Sequence, residues 1–297
     1  MGPRWMTRVA IGLLGAFAIT IGFAFLALRD NPARPASGER RVAESDEAAI
    51  HYFVAGPVEG SVVVLIPSYA RSASDFNELV LALGHAGHRT IAIQPRGIDS
   101  SGPVSFSASL HTFARDVRSV LAAEGLDERV VVLGHAYGNR VARTFGTDFP
   151  EQTRALVLLA AGGEDPTPPE MTKAITRALF GFYPESIRRE AIELAFFAEG
   201  QRAPSSWLAG WYPLAGIAQA GATTATPFSE WGSGGTSPIL VLQPEEDVVA
   251  SLGGERLAQR FPDRVRLVSI AGTGHALLPE RPEEIERAIV DYLGTLP

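Results

Sequence analysis

The stretch VVLGHAYGNRVAR, residues 131–143, has the pattern of a turn that presents a catalytic nucleophile. Gly134 and Gly138 lie on either side of residue 136, and this Gly-x-x-x-Gly spacing lets a strand turn sharply into a helix. The central residue of such a turn is normally the nucleophile, whereas here it is Ala136. A methyl group can neither attack a carbonyl carbon nor be activated by a base. Covalent catalysis at residue 136 is therefore excluded.

Other polar side chains directly follow predicted strands elsewhere in the chain. Ser68 lies in IPSYARS, Asp247 in PEEDVVA and His275 in GTGHALLPERP. In open α/β sheets, chemistry collects at the carboxyl ends of the strands. The sequence therefore predicts that these residues face one site together with the turn at Ala136.

The elements that position these residues alternate between strands and helices. Continuous apolar runs are typical of strands that are buried on both faces. The first two strands predict an opening hairpin, and the later alternation predicts parallel strands with right-handed crossovers. The fold class is therefore α/β, a mostly parallel eight-stranded sheet flanked by helices. The eight strand candidates are RRVAES, AIHYFVAG, SVVVLIPS (61–68), RTIAIQP (89–95), RVVVLGHA, TRALVLLAAG, SPILVLQP (237–244) and DRVRLVSIAG.

The interval between Gly163 and Thr236 contains helix candidates and no clear strand. A segment of this length inside a compact domain is usually a lid or an inserted subdomain, so we predict a helical lid at about 164–236. Its aromatic side chains either line a substrate pocket or pack the lid onto the sheet. These candidates are Trp207, Trp211, Tyr212 and Phe228.

The motifs in this order resemble the α/β-hydrolase fold superfamily over roughly residues 41–297. The resemblance rests on GTGH followed by PERPEEIERAIVDYL, on VLQPEED, on QPRGIDSS and on LIPSYARS, which has Pro67-Ser68 where the family usually has His-Gly. It implies the chain order of elbow, acid and histidine, with Asp247 as the acid and His275 as the base. The chain is thus identified as a serine-hydrolase-like member with Ala136 at the nucleophile position.

The resemblance also implies which parts of the catalytic machinery remain. An oxyanion hole would use the backbone N–H of Tyr137 and that of Ser68 or Tyr69. His275, oriented by Asp247, could activate a water molecule, or Ser68 could serve as a displaced nucleophile. Alternatively, His275 is a structural histidine, Asp247 is a turn residue and Ser68 bonds only to the local backbone.

Four further residues have alternative interpretations. Glu164 or Asp165 could replace Asp247 as the acid. Arg71 and Arg96 could bind an anionic substrate, or could pair with acids such as Asp75 or Asp99.

Two functions follow from these alternatives. One is a hydrolase of a small, largely apolar ester, lactone or similar carbonyl compound, working through His275 and Asp247. The other is a catalytically silent protein of the same fold that binds a ligand or a partner. An enzyme needs His275 and Asp247 in contact with each other and a water or Ser68 within reach of His275. A binding protein does not need this geometry.

Composition excludes several other classes. The net charge of −7 argues against a nucleic-acid partner, and the absence of cysteine excludes disulfides and thiolate metal sites. The six histidines show no HExxH pairing, and no glycine-rich phosphate loop is present, so we expect no metal, nucleotide or flavin. A small-molecule ligand is the expected partner.

Residues 1–28 predict an N-terminal membrane anchor or signal segment. The run from 9 to 28 carries no charge, and twenty helical residues span about 30 Å, the thickness of the hydrocarbon core. Residues 29–40 predict a linker that leads into the domain at 41–297. We expect a membrane-anchored protein with its domain outside the cytoplasm; the alternative is a secreted or periplasmic protein after signal cleavage.

Overall fold

A computed structural model of the protein describes residues 28–46 and 48–297. Its sheet has the strand order β1-β2-β4-β3-β5-β6-β7-β8. Strands β3 to β8 run parallel to one another, and β1 and β2 pair antiparallel with their neighbours. The predicted α/β class with a mostly parallel eight-stranded sheet is therefore confirmed. The strands are β1 Glu39–Ser45, β2 Ala48–Ala55, β3 Val62–Ile66, β4 Arg89–Ile93, β5 Val130–His135, β6 Thr153–Leu159, β7 Ile239–Pro244 and β8 Val265–Ile270.

Helices cover both faces of the sheet, and this explains the continuous apolar strands. Every residue of β3 and of β5 is buried. One apolar cluster joins the sheet to α2, α3 and α9, and a second joins it to α1 and α10. These helices are α1 Asn77–His85, α2 Leu110–Ala123, α3 Tyr137–Asp148, α9 Gly253–Arg260 and α10 Pro282–Thr295.

A group of short helices lies between β6 and β7, within the predicted interval of 164–236. We call this group the helical insertion; it consists of α4 Pro169–Leu179, α5 Glu185–Phe196, α6 Ser205–Leu208, α7 Pro213–Ala225 and α8 Phe228–Trp231. A third apolar cluster joins it to Ala70 and Ala276, which lie in loops after β3 and β8. The helical insertion is thus seated over the carboxyl ends of the strands. That it moves as a lid stays a prediction.

The segment predicted as a linker, 29–40, is bonded to the helical insertion. Asn31 N–H donates to the Trp211 carbonyl at 3.0 Å, and Asn31 Nδ2 donates to the Leu208 carbonyl at 2.7 Å. Ala33 N–H donates to Tyr212 Oη at 3.1 Å. The last two residues of the predicted linker, Glu39 and Arg40, already belong to β1.

The predicted membrane segment falls outside the described residues except for Leu28. Within residues 28–46 and 48–297, no helix is both long enough and apolar enough to cross a bilayer.

Candidate functional site

The turn between β5 and α3 has the shape of a nucleophile elbow. Ala136 has φ 50° and ψ −107°, a conformation that L-residues rarely adopt and that costs about 1–3 kcal/mol. A Cβ at Gly134 would lie 2.2 Å from the Gly138 carbonyl oxygen, and one at Gly138 would lie 2.1 Å from that of Ile66. Both glycines are needed because strand, helix and neighbouring strand approach this closely.

Three hydrogen bonds hold the strained residue. Ala136 N–H donates to the Leu159 carbonyl at 2.9 Å, which continues the ladder between β5 and β6. Its own carbonyl accepts from Asn139 N–H at 3.1 Å and also from the Asn139 side-chain amide. The elbow is therefore set by backbone packing and hydrogen bonds, whatever side chain stands at residue 136.

His275 and Asp247 meet at the carboxyl ends of β8 and β7. His275 Nδ1 lies 2.9 Å from Asp247 Oδ2, and both side chains are almost fully buried. The other carboxylate oxygen accepts the N–H groups of Val249 and Ala250, each at 2.8 Å. This arrangement orients Nδ1–H toward the carboxylate and leaves Nε2 as the nitrogen that can accept a proton.

Asp247 stays ionised in this environment. Burial raises the pKa of its carboxyl, but the charge and hydrogen bond of His275 and the two backbone N–H groups outweigh burial. The net result is a pKa below the ordinary value for aspartate. The pair therefore has the electrostatics of a base and its orienting carboxylate.

His135 lies beneath the elbow and connects it to the loop that carries His275. Its Nε2–H donates to the His275 carbonyl oxygen at 2.8 Å. Burial, followed by the nearby His275, lowers the pKa of His135 to about 4. A neutral His135 thus fixes the backbone of the loop that carries the other histidine.

Glu280 fixes the same loop from its other side. Its carboxylate accepts Gly274 N–H at 2.9 Å and Ala198 N–H, from the helical insertion, at 2.8 Å. Sequence reasoning missed this role. The glutamate lies in the run PERP (279–282), which entered the sequence-based prediction only as part of the family resemblance.

A cavity of about 500 Å³ contacts both the elbow at Ala136 and the base His275. Its floor includes Ala136 and His275. Its walls come from the loop after β3, from the start of α3 and from the helical insertion, which contributes apolar side chains and threonines. These wall residues include Ser68, Tyr69, Tyr137, Thr172, Ile175, Thr176, Leu179, Phe196, Ala220, Thr223 and Thr224.

Two backbone N–H groups at the cavity are candidates for an oxyanion hole. Tyr137 is the first residue of α3, so its N–H has no acceptor within the helix. Neither this group nor the N–H of Tyr69 donates to another group in the part of the chain that the structure describes. Both residues line the cavity, which leaves their N–H groups available to a developing oxyanion.

Ser68 lines the cavity but is not joined to the base. It is buried, and its carbonyl accepts Arg71 N–H at 3.2 Å. Among the described residues, no hydrogen bond links its hydroxyl to His275. The geometry therefore gives Ser68 no base that would activate it as a displaced nucleophile.

The prediction that four aromatic residues line the substrate pocket is wrong for this cavity. Trp207 and Trp211 pack against Phe196, with ring centroids 5.4 and 5.6 Å apart, and only Phe196 reaches the cavity. Tyr212 Oη donates to Asp99 at 2.7 Å, and Phe228 packs on Trp231 at 4.9 Å. All four pack within the helical insertion or between it and the sheet, which was the alternative interpretation.

The other candidate charges form ion pairs away from His275. Asp165 pairs with Arg256 at 2.5 Å. Arg71 pairs with Asp75 at 2.7 Å, and its guanidinium carbon lies 4.7 Å from the centroid of the Trp207 ring. Arg96 pairs with Asp116, at 2.7 Å from Nε to the carboxylate, and not with Asp99. Within the described ranges, no three histidine, aspartate or glutamate side chains group as metal ligands.

Known proteins share this organisation. The sequence pattern of the Alpha/beta hydrolase family matches residues 63–288. A Variovorax paradoxus protein named as a carbamate hydrolase is 36% identical over 114 residues, 38% of this chain and 42% of that protein, so the match spans under half of that relative. A non-heme chloroperoxidase of Kitasatospora aureofaciens is 24% identical over 263 residues, 80% of this chain and 93% of that one. An esterase from Rhodococcus sp. ECU1013 superposes with a TM-score of 0.73 at 23% identity, covering 87% of this chain and 99% of the esterase.

Proposed function

This chain belongs to the α/β-hydrolase family, and we propose that it hydrolyses a small ester, lactone or similar carbonyl compound with a water molecule activated by His275. The observation that carries the proposal is the 2.9 Å contact between His275 and Asp247 beside a cavity that also contacts Ala136. Nothing in this chemistry requires a side-chain nucleophile. The pair supplies a base, and the cavity supplies a place for substrate and water.

The proposed reaction proceeds in two steps. His275 Nε2 removes a proton from water, and the resulting hydroxide attacks the carbonyl carbon while Asp247 stabilises the imidazolium. The negative charge moves to the carbonyl oxygen, where the N–H groups of Tyr69 and Tyr137 stabilise it. The tetrahedral intermediate then collapses, and His275 returns the proton to the departing alkoxide. The products are a carboxylic acid and an alcohol, with no acyl-enzyme.

Ala136 has a defined place in this scheme. Alanine is smaller than serine by one oxygen, so the position of a serine hydroxyl is open to water. The strained elbow directs the residue 136 methyl group toward the cavity. The same backbone that presents a nucleophile in serine hydrolases would here shape the water site.

The second candidate is a catalytically silent protein that binds a ligand in the same cavity. The observation that favours it is Ala136 itself, together with the lack of any bond between Ser68 and His275 in the described part of the chain. In that case the pair of His275 and Asp247 would serve to hold the loop after β8.

Hydrolysis of a panel of nitrophenyl esters and lactones by the full chain separates the two candidates. Wild type, His275→Ala and Ala136→Ser are compared at matched concentration. A water mechanism predicts turnover by wild type and a loss of at least about 100-fold in His275→Ala, the usual contribution of a general base. A fluorophosphonate probe should label Ala136→Ser and leave wild type unlabelled, because only the variant has an elbow hydroxyl.

The opposite result would identify a silent protein. Wild type would then match the His275→Ala background on every substrate, while Ala136→Ser would gain activity. The proposed location outside the cytoplasm, on an anchor at residues 9–28, stays a prediction and does not affect this test.

A further inference from the structure

One arginine in the cavity has no anionic partner. Arg140 lies in the first turn of α3 and lines the cavity with Ala136 and His275. In the part of the chain that the structure describes, its guanidinium forms no ion pair and donates no hydrogen bond. The Trp231 ring lies below it, with its centroid 5.1 Å from Cζ. The charged end of Arg140 therefore lines the cavity without an anionic partner among the described residues.

Other buried or cavity-lining arginines show how unusual this is. Arg256, across the same cavity, is neutralised by Asp165 at 2.5 Å. Arg71 pairs with Asp75 and Arg96 with Asp116. Arg143, one turn along α3, donates to the Gly162 carbonyl at 3.0 Å and to the Gly232 carbonyl. Of these arginines, Arg140 alone has its guanidinium left for a ligand.

The surroundings make this corner of the cavity electropositive. Burial lowers the pKa of Arg140, and burial, followed by the charges of Arg140, Arg264 and Arg260, lowers the pKa of Arg143 to about 9. Asp247, the buried carboxylate of the catalytic pair, is already held by His275. A largely buried cation without a partner is unfavourable, and an anionic ligand removes that penalty.

We propose that Arg140 binds a carboxylate group of the substrate. A guanidinium is planar and offers two parallel N–H groups that match the two oxygens of a carboxylate. Arg140 Nη2 also has open space beside Gly162. A Cβ built on this glycine would lie 3.5 Å from Nη2, an ordinary contact distance. The inference rests on the proposed function, which places the reacting carbonyl at Ala136.

The position of Arg140 limits the length of the substrate. It follows Ala136 by four residues, which is about one helical turn or 5.4 Å along the axis. We therefore expect the carboxylate and the reacting carbonyl to be only a few bonds apart. Half-esters of four- or five-carbon dicarboxylic acids, or small lactones with a carboxylate, fit this spacing. Such a substrate carries one negative charge and therefore differs from the largely apolar compound that the sequence predicts.

Binding of succinate and glutarate to the full chain tests the site without requiring turnover. Titration calorimetry compares wild type with Arg140→Gln and Arg140→Lys, and with Arg287→Gln as a matched control on the exposed face of α10. We expect Arg140→Gln to raise the succinate Kd at least about tenfold, as for loss of a charged hydrogen bond. Arg140→Lys should raise it less, and Arg287→Gln should leave it unchanged. If Arg140→Gln does not fold, Arg140→Lys still tests the site, because it keeps the positive charge without the planar guanidinium.

Three outcomes would overturn the proposal. They are equal succinate affinity in wild type and Arg140→Gln, no saturable binding by wild type, and tighter binding of inorganic phosphate than of either dicarboxylate. Neutral succinamide should bind wild type and Arg140→Gln equally, since it lacks the charge.

Catalytic and anion-binding failures can be told apart. In the His275→Ala background, Arg140→Gln should still raise the succinate Kd, because the carboxylate that Arg140 binds does not depend on the catalytic base. In wild type, monomethyl succinate should have a higher kcat/KM than dimethyl succinate, and Arg140→Gln should remove that preference. Binding that depends on Arg140 without any turnover would reject the hydrolase and support the anion site.

Discussion

The two halves of the site supply different things. The elbow half, with Ala136 at φ 50°, has the backbone shape that presents a nucleophile but no reactive side chain. The other half has two reactive side chains, His275 and Asp247, whose Nδ1 and Oδ2 atoms lie 2.9 Å apart. One half therefore supplies geometry and the other supplies chemistry.

This difference shows which half is informative about function. The elbow shape follows from the approach of Gly138 to Ile66 and of Gly134 to Gly138, so it persists without any catalytic role. A buried, hydrogen-bonded pair of polar side chains has the opposite character, because replacing both partners with apolar groups of the same shape is often neutral or stabilising. The pair of His275 and Asp247 is therefore the stronger support for an enzyme.

The largest expected effect on stability is at Gly138, which shapes the elbow half of the site. Gly138→Ala places a Cβ 2.1 Å from the Ile66 carbonyl oxygen, so backbone must move against the central strand of the sheet. We expect the free energy of unfolding to fall by about 3–5 kcal/mol, measured by urea denaturation. Gly221→Ala is the control, since this exposed glycine of α7 has no atom near a Cβ and should gain up to about 1 kcal/mol. Wild-type stability in Gly138→Ala would show that the elbow shape is not imposed by packing.

A pH titration of stability probes the contact between the halves. His135 has a pKa of about 4 in the folded protein, against about 6.5 in an unfolded chain, so the unfolded chain binds more protons between these values. The stabilisation is present above pH about 6.5 and is lost as the pH falls toward 4, by about 3 kcal/mol in total.

His135→Gln should remove that loss. Unfolding free energies at pH 7 and pH 4.5, compared between wild type and variant, measure the effect. His85→Gln, on the exposed side of α1, is the control that should keep the wild-type dependence. An unchanged pH dependence in His135→Gln would mean that His135 is not held neutral between the two halves.

The smallest expected effect concerns the strain at Ala136. Glycine adopts φ 50° without the penalty of a Cβ, but it also has more freedom in the unfolded chain. Ala136→Gly should therefore stabilise the protein by about 1 kcal/mol, measured as an increase in the urea midpoint. A destabilised variant would indicate that the methyl group contributes more by packing than it costs in strain.

Much of the scaffold could be predicted because it depends on local pattern. Apolar runs predicted the strands, and Gly134 and Gly138 predicted the tight turn. The meeting of His275 with Asp247 needed only strand order, since parallel strands end at one edge. The helical insertion was harder. Trp207 and Trp211 suit a pocket wall and a packed core equally well, and only the tertiary arrangement decides between them.

Arg140 and Asn31 illustrate the same limit. An arginine one turn into a helix usually faces solvent, and nothing in the local sequence shows that a distant insertion encloses it. Asn31 lay in a proline-containing stretch typical of a linker, so its bonds to residues about 180 positions away could not be anticipated. In both cases the deciding contacts are long-range.

The attachment of Asn31 and Ala33 to the helical insertion gives proteolytic processing two separable consequences. A cut before Asp30 would release the folded domain from everything upstream and leave both attachments in place. A cut only a few residues later, after Ala33, would also remove the five hydrogen bonds that Asn31 and Ala33 form with Leu208, Gly210, Trp211 and Tyr212. The helical insertion would therefore keep these hydrogen bonds after a cut before Asp30 and lose them after a cut that follows Ala33.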